Sequence, residues 1–306
     1  MAIQPIPDEH ATRFAELGEL FALCRSAWPT VSIETQGHPT PGSPAASDQE
    51  RIAERDPCPE RASFLIQVVV QRYMYAASQQ FGGLAGLYFG HEVLFSPSML
   101  FRNILEHCAR VGWVLGKPEE PVEHRLARAY REDLISAEEA KKNAGRLLGK
   151  DTEGFWRMAD AFRNSKEEIA NVFPDGWTEE DGRRLLVGQA LPNPEECVVW
   201  LLTDLLSRPL SPDLASGCYG YLSNLSHPTL YRIAGLWSVE ERDGRVAPVL
   251  NVSLEDHDNH AQLAVGAFYE VLAYVITYHG WPGESHRDLT AAIDRLLPGL
   301  LKQPDE

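Results

Sequence analysis

The sequence predicts an all-α fold, a multi-helix bundle that carries one small β-hairpin near residues 238–253. Apolar residues recur at helical spacing along most of the 306-residue chain, and that one stretch has the signals of two paired strands. Hydrophobic residues make up 44% of the chain and charged residues 24%, which is the mix of a globular protein. The composition therefore excludes a largely disordered chain, a collagen-like chain and a bundle of membrane spans.

The N-terminal part of the chain is the first predicted unit. Residues 8–27 place apolar side chains on one helical face, which predicts a helix. Residues 28–59 contain six prolines among Gly, Ser and Thr, which predicts a loop or arm that holds one short helix near residues 48–55. We therefore assign residues 1–59 to an N-terminal helix with a proline-rich arm, and residues 60–306 to a helical domain.

Short turns separate the helices of the second unit. Ser96-Pro97 is a strong helix start, because serine caps the first turn and proline fits it. Thr178 and Pro194, each followed by two glutamates, predict further starts. The predicted helices cover residues 60–81, 97–115, 119–149, 153–172, a segment that begins at 178, 194–206, 212–225, 256–279 and 285–301.

The predicted β-hairpin is centred on Asp243-Gly244. Asp-Gly is a favoured pair for a two-residue hairpin turn, and the flanking residues suit strands. Pro248 lacks a backbone donor, so its strand is predicted to be an edge strand.

Charge and cysteine content restrict the partners and the compartment. Lys plus Arg number 28 against 44 Asp plus Glu, a net charge of −16, which disfavours broad coating of DNA, RNA or anionic membranes but leaves room for a local basic site. Glu270 interrupts the longest apolar run, so we predict no membrane partner. The five cysteines have no C-x-x-C spacing, which predicts free thiols in a reducing cytoplasm.

Several common catalytic motifs are absent from the sequence. It has no P-loop, no G-x-G-x-x-G, no G-x-S-x-G, no H-E-x-x-H and no E-x-x-H. Nucleotide-driven motors, Rossmann dehydrogenases, zinc proteases and ferritin-like di-iron proteins are therefore disfavoured, and we predict neither a cofactor nor a metal.

The first positive signal lies on the predicted helix 97–115. Its segment Arg102-Asn103-Ile-Leu-Glu106-His107 resembles the R-(polar)-x-x-x-H motif of the HEPN superfamily, helical domains found in many bacterial toxin and phage-defence ribonucleases. The resemblance implies metal-independent RNA cleavage at a dimer interface. It assigns proton transfer around the ribose 2′-hydroxyl to His107 and the phosphate charge to Arg102, and Asn103 matches the polar position.

The same spacing has a structural explanation. His107 shares an apolar helix face with Leu100 and Ile104, which is typical of a packed histidine. Arg102 and Glu106 are spaced i, i+4, which is typical of an ion-paired surface stripe. Arg102 and His107 also lie about 140° apart on an ideal helix, so joint chemistry is easier if a second copy supplies one of them. The sequence therefore predicts a homodimer.

The second signal is the segment from Tyr219 to Pro228. Its hydroxyl and imidazole groups, together with Glu106, are candidate ligand-binding residues: Tyr219, Tyr221, Ser223, Ser226 and His227. Together with the Arg102 helix, it resembles a family of bacterial helical proteins that has no assigned activity. The structural alternative is a helix C-cap, in which Ser226 and His227 satisfy carbonyls of the last turn.

A third segment, Asp256-His-Asp-Asn-His260, places two metal-ligating residue types one turn apart. Its structural alternative is an acidic first turn behind an N-cap.

Three functions remain open from the sequence. The leading hypothesis is a HEPN-like ribonuclease of stress or phage defence, for which RNA is the partner. The first alternative is a helical enzyme or binding protein for a small molecule, with a pocket between helix 97–115 and segment 213–227. The second is a non-catalytic interaction scaffold.

Overall fold

The computed structural model describes residues 8–56, 58–94, 96–226, 230–235, 237–242, 245–250 and 253–302, and within them the fold is an all-α bundle with two small antiparallel sheets. The all-α prediction is confirmed. The helices are α1 (Asp8–Glu34), α2 (Pro44–Ala53), α3 (Ala62–Phe89), α4 (Ser96–Leu115), α5 (Val122–Leu147), α6 (Glu153–Val172), α7 (Pro194–Trp200), α8 (Pro212–Ser226), α9 (Leu230–Gly235), α10 (Leu254–His279) and α11 (Glu284–Leu296). A π-helix (Leu201–Leu205) extends α7.

The predicted hairpin is confirmed by strands β4 (Trp237–Arg242) and β5 (Arg245–Leu250), which pair antiparallel. Its predicted turn, Asp243-Gly244, lies outside the described residues. Pro248 lies in β5. Both strands of a two-stranded sheet are edge strands, which suits a proline because it has no backbone N–H to donate. Three shorter strands precede this hairpin in the chain: β1 (Trp177–Glu180), β2 (Arg183–Leu186) and β3 (Gln189–Ala190).

The prediction of a helix that begins at Thr178 is wrong. The chain there folds into the three-stranded antiparallel sheet β1-β2-β3. Two tight turns enforce it, Asp181-Gly182 with φ of 49° and 73°, and Val187-Gly188 with φ of 51° and 72°. Two successive positive φ angles are the backbone of a type I′ hairpin turn, and they reverse the chain before a helical turn forms. The acidic run before Asp181 resembles a helix start but belongs to the first strand.

The N-terminal helix is longer than predicted. α1 continues through Pro29 to Glu34, although proline removes the backbone bond to the carbonyl of Arg25. Trp28 and Val31 flank the proline and are buried, so packing holds this stretch helical. The irregular segment therefore begins near residue 35, and α1 and α2 are buried against the same core as the helices that follow.

The core lies where α1, α3, α4 and α10 meet. A chain of aromatic contacts links them, with ring centroids 5.9 Å apart between Phe21 and Phe81, 5.7 Å between Phe21 and Phe101, and 5.1 Å between Phe81 and Phe268. α10 is long and apolar enough to cross a membrane by length and composition, but 56% of its most apolar stretch is buried inside the protein. α10 is therefore a core helix of this bundle.

Candidate functional site on α4

α4 has a buried apolar face and a partly exposed polar face. The apolar face packs into the core. Polar residues of the predicted motif and the next turn are half-buried; they are Arg102, Asn103, Glu106, His107 and Arg110. They fall into two groups, because residues on one helix point toward different neighbouring helices.

The first group joins α4 to α8. The Arg102 Nε donates to Glu106 Oε1 at 2.8 Å, and an Arg102 terminal nitrogen donates to the Tyr219 hydroxyl at 3.1 Å. The Tyr219 hydroxyl donates to the same Glu106 oxygen at 2.9 Å, and the guanidinium carbon lies 5.3 Å from the centre of the Tyr219 ring. We call these three residues the α4–α8 cluster. It brings together one residue from the predicted motif and one from the predicted 219–228 segment.

The electrostatics of the α4–α8 cluster keep Arg102 charged. Burial lowers the pKa of Arg102, but the hydrogen bond and charge of Glu106 outweigh it and raise that pKa above its ordinary value. Burial and the hydrogen bond to Glu106 raise the pKa of Tyr219, so this hydroxyl stays protonated and serves as a donor. The cluster therefore holds a fixed guanidinium that is paired with the Glu106 carboxylate.

The second group lies against α3. The His107 ring is 5.9 Å from the Tyr73 ring, centroid to centroid. Its Nδ1 is buried and makes no hydrogen bond to any part of the chain that the structure describes. Burial lowers the pKa of His107, against the opposing effects of the Asn103 carbonyl and the Glu106 charge, so the imidazole is neutral near pH 7. A neutral imidazole carries a lone pair on one ring nitrogen, and because Nδ1 is buried, a substrate could reach this ring only at Nε2.

A buried carboxylate organises the surroundings of His107. The Tyr73 hydroxyl donates to Glu132 at 2.5 Å, and Arg110 donates to Glu132 at 3.1 Å and to the Pro192 carbonyl at 3.1 Å. Glu132 is only 4% exposed, although its position on a long charged helix predicts a solvated face. Its partners come from α3 and α4, so nothing local in the sequence marks it.

In the contacts that the structure describes, Arg102 and His107 reach different neighbouring helices. Arg102 makes its described contacts with Glu106 and α8, whereas His107 packs against α3. Asn103 precedes His107 by one helical turn and therefore shares its side of α4. The i, i+4 ion pair predicted between Arg102 and Glu106 is present at 2.8 Å.

The remaining residues of the 219–228 segment have separate surroundings. The Tyr221 hydroxyl donates to Asp256 at 3.3 Å, and its ring lies 5.3 Å from the His260 ring. Ser223 is half-buried on α8. The Ser226 side chain and all of His227 lie outside the described residues, so their predicted ligand-binding role stays a prediction.

The segment 256–260 forms the first turns of α10. The Ser253 hydroxyl accepts from the Asp256 amide at 3.1 Å, an N-cap ahead of an acidic first turn. The Tyr88 hydroxyl and His257 Nδ1 share a hydrogen bond of 2.6 Å. Within the described ranges, no group of three or more His, Cys, Asp or Glu side chains is placed to hold a metal ion.

Comparison of the chain with family models, curated proteins and solved structures finds no match in any of the three.

Proposed function

We propose that this protein is a HEPN-like, metal-independent ribonuclease that acts in the reducing cytoplasm in stress or phage defence. The observation that carries the proposal is His107: a half-buried imidazole on α4, beside the Tyr73 ring, whose pKa burial lowers so that it is neutral near pH 7. A general base needs a lone pair at the working pH, and a neutral imidazole carries one on one of its two ring nitrogens.

The chemistry follows from the groups on α4. The neutral His107 ring accepts the proton of a ribose 2′-hydroxyl, whose oxygen attacks the adjacent phosphorus. The new 2′-O–P bond forms as the P–O5′ bond breaks, and the 5′-oxygen takes a proton from water. The products are a 2′,3′-cyclic phosphate and a 5′-hydroxyl. Asn103, on the same side of α4, donates its amide to the phosphate.

Arg102 supplies the positive charge that the phosphorane-like transition state needs. Glu106 and Tyr219 hold its guanidinium in place, so this side chain loses little conformational entropy when a phosphate binds. The phosphate must compete with Glu106 for this cation, so we expect cleavage to fall steeply with salt. Because Arg102 and His107 of one chain contact different helices, the complete site takes one of them from a second copy.

The contact at Tyr219 favours the ribonuclease over the small-molecule alternative. That alternative expects a pocket between α4 and α8, and here the Tyr219 hydroxyl reaches Glu106 and Arg102 directly. Tyr219 is only 6% exposed, so its side chain occupies the place between the two helices where a ligand would have to lie.

The test is RNA cleavage by purified protein in EDTA. We expect the wild type to cleave and His107→Ala to lose at least about 100-fold in rate, the range of general-base catalysis. His124→Ala, at a histidine with a partly exposed side chain on α5, is the matched control and keeps full activity. Equal cleavage by wild type and His107→Ala, or no cleavage by either, rejects the proposal, and the second result favours the scaffold.

A further inference from the structure

The far ends of α5 and α6 form a helical arm that stands away from the bundle. Between residues 133 and 164, Ala144 is the only buried residue. α6 buries just Ser165 and Ile169, both near its C-terminal end, and packs mainly against α5. We call residues 140–166 the distal arm. Its surface is therefore almost entirely free of the rest of the chain.

The distal arm is basic in an acidic protein. It holds seven Lys or Arg residues against three Asp or Glu, whereas the rest of the chain has 21 against 41. Lys142 is neutralised by Glu138 and Glu139, and Arg163 pairs with Asp160. Four further basic side chains of the arm are exposed and form no ion pair with any described residue; they are Arg146, Lys150, Arg157 and Lys166. Asp151 and Glu153 lie among these cations, and over residues 140–166 the arm carries a net charge of +4, seven basic less three acidic residues, against −20 for the rest of the chain.

Aromatic rings lie among these charges. Trp156 is 53% exposed and meets Phe155 edge to face at 5.4 Å. Phe155 and Lys150 both pack against Gly145. A Cβ atom built on this glycine would lie 3.3 Å from the Phe155 ring and 3.8 Å from Lys150 Cγ. Lys141 Nζ is 4.1 Å from the centre of the Phe162 ring. At this exposure the indole leaves about half of its surface open to another molecule.

An exposed aromatic ring among Lys and Arg side chains is typical of surfaces that bind single-stranded nucleic acid. Bases stack on the rings regardless of sequence, and the cations follow the phosphates. A duplex offers no unstacked base to Trp156, and the acidic body around the arm repels a long backbone elsewhere. A short single strand that lies along the arm meets the positive field and avoids the negative one.

We propose that the distal arm binds single-stranded RNA, with a base stacked on Trp156 and phosphates on Lys150 and Arg157. The choice of RNA rests on the ribonuclease proposed above. The arm would capture the strand and hold it near the body, where α4 cuts. The arm then binds the substrate at a distance from the cleavage site. This division fits the cleavage site, because Arg102 there is already paired with Glu106 and attracts RNA less strongly.

The test is fluorescence anisotropy of the full-length protein with a short 2′-O-methyl RNA, which lacks the attacking hydroxyl and stays intact. We expect Trp156→Ala to weaken binding about fivefold or more, the effect of one lost stacked base. Lys150→Glu with Arg157→Glu weakens it further, and lowers the slope of log affinity against log salt by about 0.7 for each lost phosphate contact. Arg287→Glu, at a 72% exposed side chain, and Trp237→Ala, at an exposed indole, are controls that bind like wild type.

Two results overturn this inference. In the first, the wild type does not bind the RNA, or the arm variants bind as it does. In the second, the arm variants alter self-association in sedimentation while RNA binding is unchanged, which makes the arm a contact between copies.

The cleavage assay separates this inference from the function on which it rests. Arm-dependent binding without cleavage upholds the arm and rejects the ribonuclease. Cleavage that persists in arm variants with unchanged binding rejects the arm and leaves the ribonuclease standing.

Discussion

At the scale of single residues, buried histidines make the stability of this protein depend on pH. Burial, with a smaller effect from nearby His260, lowers the pKa of His257 to about 4. Burial also lowers the pKa of His279 to about 4, against one hydrogen bond to the Val275 carbonyl. The His279 ring is fully buried, stacks on Trp281 at 4.2 Å and leaves Nε2 without a partner among the described residues.

We expect the free energy of unfolding to fall as the pH drops below about 6.5. Both histidines bind protons more readily in the unfolded chain, where the pKa is near 6.5, than in the folded one, so acid favours unfolding. The loss grows from pH 6.5 down to about pH 4 and is about 2 kcal/mol for each histidine at pH 5. Urea unfolding at pH 7.5 and at pH 5 measures it.

The control is His279→Phe, which keeps a ring against Trp281 and cannot be protonated. Between the two pH values, the unfolding free energy of this variant should fall by about 2 kcal/mol less than that of the wild type, which is the contribution of one histidine. An unchanged pH dependence in this variant would contradict a neutral, buried His279.

At the scale of elements, one buried ion pair ties three helices together. Arg125 of α5 donates to both carboxylate oxygens of Asp48 of α2, at 2.7 and 3.0 Å, and Tyr278 of α10 donates to the same carboxylate at 2.7 Å. Asp48 and Arg125 are both buried. A buried bidentate pair of this kind is costly to break, since either charge left alone has no water to solvate it.

We expect Asp48→Ala to reduce the free energy of unfolding by about 3–5 kcal/mol. Asp160→Ala is the matched control, because it breaks the exposed pair with Arg163 on α6 and should cost at most about 1 kcal/mol. Chemical denaturation of both variants decides the matter, and similar losses for the two would show that the Asp48 pair does not join α2 to α5.

The sequence predicts an element well when the residues that determine it lie within the element itself. α4 and α6 are well predicted, because caps and apolar spacing lie within each segment. β1 to β3 are missed although Asp181-Gly182 is the same favoured turn pair that predicts the other hairpin, because Thr178 and the two glutamates after it match a helix start. The second turn has no such signal, since Val187 is an unusual residue for a left-handed backbone. The stretch of α1 through Pro29 is missed because tertiary packing of Trp28 overrides the local signal.

At the scale of the whole molecule, the candidate site is only partly predictable from the sequence. The sequence predicts the Arg102–Glu106 pair from its i, i+4 spacing and marks Tyr219 as a candidate ligand-binding residue. Their contact is a property of packing between distant segments, as is the buried Glu132 beside Tyr73. Periodicity shows which face of a helix is apolar, but not which helix it meets.

The separate surroundings of Arg102 and His107 give a prediction for the assembly. If one copy supplies the guanidinium and the other the imidazole, Arg102→Ala and His107→Ala are each inactive, but a mixture regains about a quarter of the wild-type rate through mixed dimers. Cleavage by the mixture after subunit exchange measures this. A mixture that stays inactive, or a protein that sediments as a monomer at working concentration, contradicts the shared site.

The chemistry assigned to His107 is tested most directly by the ends of the cut RNA. In EDTA, the wild type should leave 2′,3′-cyclic phosphate and 5′-hydroxyl ends, cut nothing where the 2′-hydroxyl is replaced by hydrogen, and lose this activity in His107→Ala. The same ends produced at the same rate by His107→Ala, or 3′-hydroxyl ends from the wild type, would contradict proton transfer by this imidazole.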